Sequence, residues 1–594
     1  MLKWIGILSA KTLLVIISSN NKYILICNGI YHFHILPLRQ YGSDFILKGH
    51  IKMKSTTERS NFDKFSIISS LVIVSMISVF FLTNPDQAIK IAGDIFTLIA
   101  YNFGTPILWY AFGLVILAAF FVFSKYGHIR MGNEKPEFST FSYIAMMALA
   151  GVGSGTVYWA FLEWSYYIKT PPFAIEAGSV TAAEWAVTYS LHHWGIIAWA
   201  IYAITAIPVM YSFYIRKNRS LKISDVVMPM IKNQATAKIV GRVIDVMYPI
   251  ALIFGLIIVL SLGVPIISAA VSLLFGIANT LLLKLSMIAI VAALLIASSF
   301  FGIEKGMQKI SNNGTYFVVA LALYILIFGP TQFILENTSS SIAIWAQNFI
   351  KMSLYTDAIN QAKFPQSWTA YFWAYWMIFI PLMCVFVTKV SKGRTIREVV
   401  VCMIGGGTAG IAALFSIVGS FMMKTQLDGK VDISQMVSDG QASEAIVKAL
   451  DTLPLSSVIL VVFIISTFLL LVTTLDGSVF TVACNTQKKL DEKNNPSTYL
   501  KIFWCLVIVA LPTIFITVNA PVQSMQSAIL IFALPILLLT SYMLYQTVGY
   551  MREDYSHLNV MEIQAMHKLA LEAEEEQKVP EAVEVALTES HQQA

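Results

Sequence analysis

The sequence predicts an all-α membrane protein of twelve transmembrane helices, on three observations. Of 594 residues, 57% are hydrophobic and only 12% charged, where a soluble domain carries roughly a quarter charged residues. Mean hydropathy is +0.70. Apolar runs of about twenty residues, the length that crosses a bilayer, recur from Ser66 to the region of Tyr545 and leave little chain for a soluble domain.

The runs place helices at 66–83, 104–124, 141–168, 185–214, 243–263, 285–303, 313–335, 367–390, 396–423, 455–484, 498–518 and 523–547. An even count puts both termini on one side. Most Lys and Arg fall in the loops 125–135, 216–242, 305–309, 389–397 and 488–493, whereas the alternate loops are offset by acids such as Asp428, Asp432 and Asp451. By the positive-inside rule the basic loops and both termini are cytoplasmic. The net charge of +6 therefore reflects topology, and no nucleic-acid partner is expected; membrane lipid is.

Residues 1–52 fit neither a signal peptide nor a full span. The apolar stretch Trp4–Ile17 is interrupted by Lys11, and Tyr23–Leu36 contains His32 and His34. Two readings stand: translation starting at Met53, which is preferred, or a weak extra anchor. The expected organisation is then this extension, a cytoplasmic N-terminus at 53–65, a membrane body at 66–550 and an acidic cytoplasmic tail at 551–594. The tail, with Glu572, Glu574, Glu575 and Glu576, would begin helical and be repelled by anionic lipid.

The five cysteines (Cys27, Cys384, Cys402, Cys484, Cys505) have no paired or metal-type spacing. No phosphate loop, metal cluster or nucleophile elbow is present, which argues against an ATP-driven pump and against a resident cofactor.

Two helices are interrupted. Helix 141–168 holds Gly151, Gly153 and Gly155 within five residues, and helix 367–390 contains Pro381. Glycine lets a backbone open or approach a ligand, although small residues also serve close helix packing. Each of the two helices would begin a five-helix set, 141–335 and 367–518. Interruptions at corresponding places in two halves point to an inverted repeat with a midplane site.

Aromatic residues gather in the same helices. Trp194, Trp199 and Tyr202 lie near one face of helix 185–214, and Tyr371, Tyr375, Trp376 and Phe379 form a stripe on helix 367–390. A methylated ammonium donates no hydrogen bond and is held by ring faces and local negative charge, at roughly 2 kcal/mol per desolvated contact. An interfacial belt fits Trp368 and Trp164, near helix ends, better than Trp194 or Trp376. Tyr371 and Trp373 are open to core or lipid-facing positions.

Phe364-Pro-Gln-Ser-Trp-Thr-Ala-Tyr-Phe-Trp-Ala-Tyr-Trp376, followed by Thr388-Lys-Val-Ser-Lys-Gly-Arg-Thr-Ile-Arg-Glu398, closely resembles the signature of the betaine/carnitine/choline transporter family. Tyr158-Trp-Ala-Phe-Leu-Glu163, Thr170-Pro-Pro-Phe173 and His193-Trp-Gly195 also resemble it. The resemblance implies a LeuT-like five-helix inverted repeat after two preceding helices, a homotrimer in a bacterial inner membrane, and alternating access for a small quaternary-ammonium solute. The closing helix would extend the second repeat to 547. The family's cage positions fall on Trp194, Trp199, Tyr202 and Trp376, and in carnitine-type members Tyr166, Tyr375 and Met383 line the site. Tyr375 departs from the usual first of two tryptophans, and Phe379 from a usual Trp or Tyr; both keep a ring.

A membrane enzyme would need clustered intramembrane His or paired acids, and Glu163 and Asp476 have no partner visible in sequence. A channel would need repeated filter segments. Energy coupling turns on Thr473 and Thr474, two mid-helix hydroxyls that are costly unless partnered. They could bond their own helix carbonyls. The resemblance implies instead that they ligate Na+ together with carbonyls near Ala150 and Gly151. Exchangers of the carnitine type carry an arginine where Gly314 stands here. Sodium-coupled uptake is therefore expected, with sodium-independent carnitine/γ-butyrobetaine exchange as the alternative.

Overall fold

The computed structural model describes residues 3–9, 12–19, 22–27, 62–150, 153–218, 220–301, 304–488, 495–518 and 522–573. Gly151, the expected start at Met53 and Glu574, Glu575 and Glu576 lie outside them. The chain forms two units, Met1–Asn61 and Phe62–Ala594. In the first, β1 (Lys3–Ser9), β2 (Thr12–Ser19) and β3 (Lys22–Cys27) pair antiparallel in that order. Neither expected reading of this segment contained a strand. Its Ile- and Val-rich runs suit a pleated surface.

Every regular element described in the second unit is helical. Asp63 caps α1 (Lys64–Thr83), its carboxylate accepting from the Ser66 amide. α2 (Pro85–Phe123) follows at once, with Pro85 at its first position. It begins well before the expected 104, because Asp86, Lys90 and Asp94 interrupt the apolar run that marked the expectation. The glycine-bearing helix is broken into α3 (Thr140–Ala150) and α4 (Ser154–Lys169), with Gly153 extended. Gly195 divides α5 (Val180–Trp194) from α6 (Ile196–Met210), and a π-helical turn and the short α7 (Ile223–Val227) follow.

α8 (Gln234–Phe275) runs 42 residues from an Asn233 cap to a left-handed Gly276, twice the expected 243–263. α9 (Leu281–Phe301) and α10 (Glu304–Phe328) follow. The expected helix 313–335 is in fact bent by 110° after Phe328, where Gly329 and Pro330 end α10 and α11 (Thr331–Leu354) begins. The signature region gives a π-helical turn, α12 (Ala370–Ile378) and α13 (Ile380–Val390), bent by 54° at Phe379. Then come α14 (Ile396–Leu427), the short α15 (Ile433–Ser438) and α16 (Ala442–Asp451), α17 (Ser456–Asn485), α18 (Thr498–Thr517) and α19 (Val522–Tyr555). A helical stretch at 560–573 follows.

Among the described residues nine helices are long and apolar enough to cross a membrane, or up to eleven with each bent pair as one span. Burial sorts them. The apolar window of α8 is 94% buried, while those of α1 and α9 are 22% buried. Large side chains such as Met76, Trp109, Phe141 and Leu282 are exposed. In water such faces would aggregate; against lipid tails they cost nothing. The core is thus α8, α5–α6 and α12, ringed by helices with lipid-suited faces.

The second half of the signature ties loops together. Gly393 has φ of 75°, donates its N–H to the Met131 carbonyl at 2.8 Å, and a Cβ there would lie 2.5 Å from the Glu134 carbonyl oxygen. Arg394 is 1% exposed, its guanidinium 4.1 Å from the Tyr143 ring centre and donating to the Phe138 carbonyl. Thr395 and Glu398 form a reciprocal capping box that starts α14.

The described part of the tail, residues 551–573, docks on its own chain. Arg216 pairs with Glu553 and Asp554, and Lys125 donates to the Ser556 and Leu558 carbonyls. The Arg130 amide donates to His567 Nε2 at 3.1 Å.

Candidate solute site

The break before α4 sets that helix's first turn between two others. A Cβ on Gly155 would lie 3.1 Å from the Tyr375 hydroxyl of α12, and one on Gly153 would lie 3.2 Å from Thr474 Oγ1 of α17. Any side chain at either position would crowd those oxygens, so the glycines give close approach here rather than only tight packing.

Trp376 is the hub of the aromatic group. Its ring centre lies 4.9 Å from Tyr202, 5.3 Å from Trp194 and 5.8 Å from Trp199, and its Nε1 donates to the His193 carbonyl. Tyr375 lies 6.4 Å from Trp194 and 5.4 Å from Phe379. Phe379 stands at the α12–α13 bend, and Met383 is buried one turn further on, its amide bonded to the Phe379 carbonyl. A Cβ on Gly407 of α14 would be 2.1 Å from the Trp199 ring, so only glycine admits that indole.

Tyr166 belongs to a neighbouring cluster. Its ring packs on Trp368 at 5.2 Å and Trp159 at 6.0 Å, and its hydroxyl bonds that of Tyr158 at 2.8 Å. Phe372 joins the two groups, 5.4 Å from Trp159 and 5.8 Å from Trp194. The belt reading of Trp164 and Trp368 is corrected: Trp164 is buried and Trp368 is wedged among rings. Tyr371 and Trp373 are fully buried, hence core.

Sequence reasoning missed what holds Trp194. Glu163 is fully buried, and its Oε2 accepts from Trp194 Nε1 at 2.6 Å while Oε1 accepts from the Tyr167 hydroxyl at 2.6 Å. His193 Nδ1 lies 3.1 Å from Glu163 Oε1, and its Nε2 lies 3.0 Å from Thr369 Oγ1. The quoted motifs contain both Glu163 and His193, but nothing in their spacing shows that they meet.

Comparison with known proteins decides the family: residues 65–556 match the betaine/carnitine/choline family transporters. This chain belongs to that family. It is 35% identical over 494 residues to a protein named carnitine transporter from Acinetobacter baumannii, covering 83% of this chain and 90% of that one. An uncharacterized transporter, YeaV of Escherichia coli K12, is 32% identical over 456 residues, 76% of this chain and 94% of that one. As a member of the betaine/carnitine/choline transporter family, the chain is a multi-pass membrane transporter and not an enzyme.

Thr473 and Thr474 donate to the Leu469 and Leu470 carbonyls at 2.7 and 2.9 Å. Those bonds use each hydroxyl's proton and leave its oxygen lone pairs open, so self-bonding and cation ligation are compatible. Ala150 ends α3 on the far side of the break. Gly314 is buried on α10, where a Cβ would lie 2.9 Å from Leu469 Cβ, so no long side chain fits beside that turn of α17. Asp476, one turn further along, accepts from Ser298 at 3.0 Å.

Proposed function

We propose that this transporter moves a quaternary-ammonium solute of the betaine, carnitine or choline class across the bacterial plasma membrane by alternating access. The ring hub carries the reading: the electron-rich rings of Trp194 on α5 and of Trp199 and Tyr202 on α6 all lie within 5.8 Å of the Trp376 ring on α12. Trp194 is fixed from behind by the Glu163 carboxyl group, which accepts its N–H. A hydrogen bond from indole to carboxylate pushes electron density toward the ring face, which strengthens its hold on a cation. Trp194, Trp199, Tyr202 and Trp376 take the methylated nitrogen, with Tyr375, Phe379 and Met383 beside it. Tyr166 acts from the neighbouring cluster.

The proposed architecture is the LeuT-like repeat within a homotrimer, both termini cytoplasmic. The proposed mode is sodium-coupled uptake. The chemistry of the donor set supports it: Thr473, Thr474 and carbonyls at the α3–α4 break are hard oxygens of the kind that bind such a cation, and Gly314 leaves no place for a substituting positive charge. A second reading is sodium-independent exchange, favoured by the likeness of Thr170-Pro-Pro-Phe173 and Phe364-Pro-Gln-Ser367 to carnitine-type exchangers.

Reconstituted vesicles offered labelled betaine, carnitine, choline and γ-butyrobetaine separate these. Concentrative uptake driven by an inward sodium gradient, and lost in Thr473→Ala/Thr474→Ala, supports symport. Uptake that ignores sodium and follows preloaded counter-solute replaces it with exchange. No flux of any of the four overturns the solute class.

A further inference from the structure

The segment joining α4 to α5 builds a second aromatic box with the end of α11. Phe173 lies 4.9 Å from Trp185 on α5 and 4.5 Å from Tyr355, just past α11. Tyr189 closes the inner side, 5.9 Å from Phe173 and 6.1 Å from Trp185. The Lys351 ammonium stands in this box, 4.1 Å from the Phe173 ring centre and 6.0 Å from that of Trp185.

Two further features mark the box as built. Phe173 and Ala174 both have positive φ, 61° and 57°, a backbone region that bulky residues enter only when their surroundings hold them there. This strained segment swings the Phe173 ring over the end of α11. Phe173, Trp185 and Tyr355 are half-buried and Lys351 is exposed, so the ring faces can be reached from outside. A file of rings then leads inward. Tyr189 touches Phe364 at 4.8 Å, Phe364 touches Tyr167 at 5.3 Å, Tyr167 touches Trp368 at 5.2 Å, and Trp368 stacks on Phe372 beside Trp194.

We propose that this box is an outer binding site for a methylated ammonium, and that Lys351 is its tethered occupant, displaced when the ligand binds. For its natural ligand this rests on the quaternary-ammonium reading above. The competition itself follows from chemistry: both cations use the same ring faces, and the methylated one sheds water more easily because it donates no hydrogen bond. A tethered competitor acts at an effective concentration of about a millimolar or more, so the outer site is weak and fills only at high external solute.

The test uses purified full-length protein carrying Trp376→Ala, which disables the cage, and tetramethylammonium chloride as probe. Acetylation of Lys351 by an amine-reactive reagent is followed by mass spectrometry. Displacement by tens of millimolar probe should raise the Lys351 rate about threefold or more, given the competitor's effective concentration, with sodium chloride giving no rise. Trp185→Ala should make Lys351 reactive without probe and erase the difference. In the same background Lys351→Gln should bind the probe about fivefold tighter or more by saturation-transfer NMR, because a competing cation has gone. Equal Lys351 rates in probe and in sodium chloride, or unchanged probe affinity in Lys351→Gln, overturn the proposal. These readouts need no transport, so a negative uptake panel and a negative labelling experiment are separate failures.

Discussion

The two halves of one signature stretch behave in opposite ways. Phe364 to Trp376 lays down rings that face other rings across a helix interface and meet almost no backbone hydrogen-bonding partner outside their own helix. Thr388 to Glu398 does the reverse: Gly393, Arg394 and Ile396 bind the backbone of the α2–α3 segment at Met131, Phe138 and Ile129. Between them lies the 54° bend at Phe379. Soft, nondirectional contacts sit where a solute would have to replace a neighbour, and directional hydrogen bonds sit where two loops must stay registered. Motif contiguity therefore says little about shared purpose.

The contrast between the halves is widest at Gly393. Gly393→Val forces a branched residue into φ of 75° with its Cβ against the Glu134 carbonyl, and should cost at least about 3 kcal/mol. The melting temperature in detergent should fall sharply while the folded fraction keeps the parent solute affinity. A lost affinity would mean that the loop half also shapes the site. At the ring half the expected pattern inverts. Trp376→Ala should weaken solute binding by about ten- to a hundredfold, at roughly 2 kcal/mol for each ring face removed from the solute, and Trp376→Phe should be milder. Calorimetry showing an unchanged Kd for Trp376→Ala would dissolve the cage.

Glu163 supports the ring half from behind. Glu163→Ala strands the Trp194 N–H, at a cost of about 1–3 kcal/mol for a buried donor without a partner, and leaves the Tyr167 hydroxyl to His193 Nδ1 alone. A roughly tenfold loss of solute affinity is expected as the indole reorients. Unaltered binding would show that packing on Trp376 and on Phe415 of α14, whose ring centre lies 5.0 Å from that of Trp194, is enough to position the indole.

The smallest effect lies at the tail. Arg130 donates to His567 Nε2, so that nitrogen must be unprotonated, and burial, with the Arg130 charge second, pulls the His567 pKa down to about 4. A folded pKa below the unfolded value of about 6.5 means docking is fully stabilised above that pH and weakens as the pH falls toward 4. Corrected hydrogen exchange in 560–573 should therefore rise between about pH 6.5 and 4.5, and His567→Gln should flatten the rise. A pH-independent parent would remove the role of His567.

The ring stripe of α12 was readable because a three- and four-residue spacing on a helix means one face, whatever that face meets. The glycine break was readable for the same local reason. What escaped was directional or long-range. A position near a helix end looks interfacial in sequence, yet Trp164 points inward and Trp368 lies under Tyr166. The Asp86, Lys90 and Asp94 charges hid the first half of α2. The polar run Glu336 to Ser341 disguised α11 as a loop, since it breaks the apolar signature there. Glu163 and His193 are 30 positions apart on different helices, and no periodicity reports such a meeting.

The docked tail has a bearing on how the protein is made. Lys125 reaches Ser556 across 431 positions, and Arg130 reaches His567 across 437. A ribosome adding about 5–20 residues each second finishes the segment that receives the tail at least some twenty seconds before the tail itself exists. Until then Lys125 and the Arg130 amide turn to water, and the loop held by Arg394 waits with one side uncovered. A chain truncated between α18 and Ser556 lacks every group that closes this clasp. Closure of the clasp is thus among the last contacts the growing chain can make.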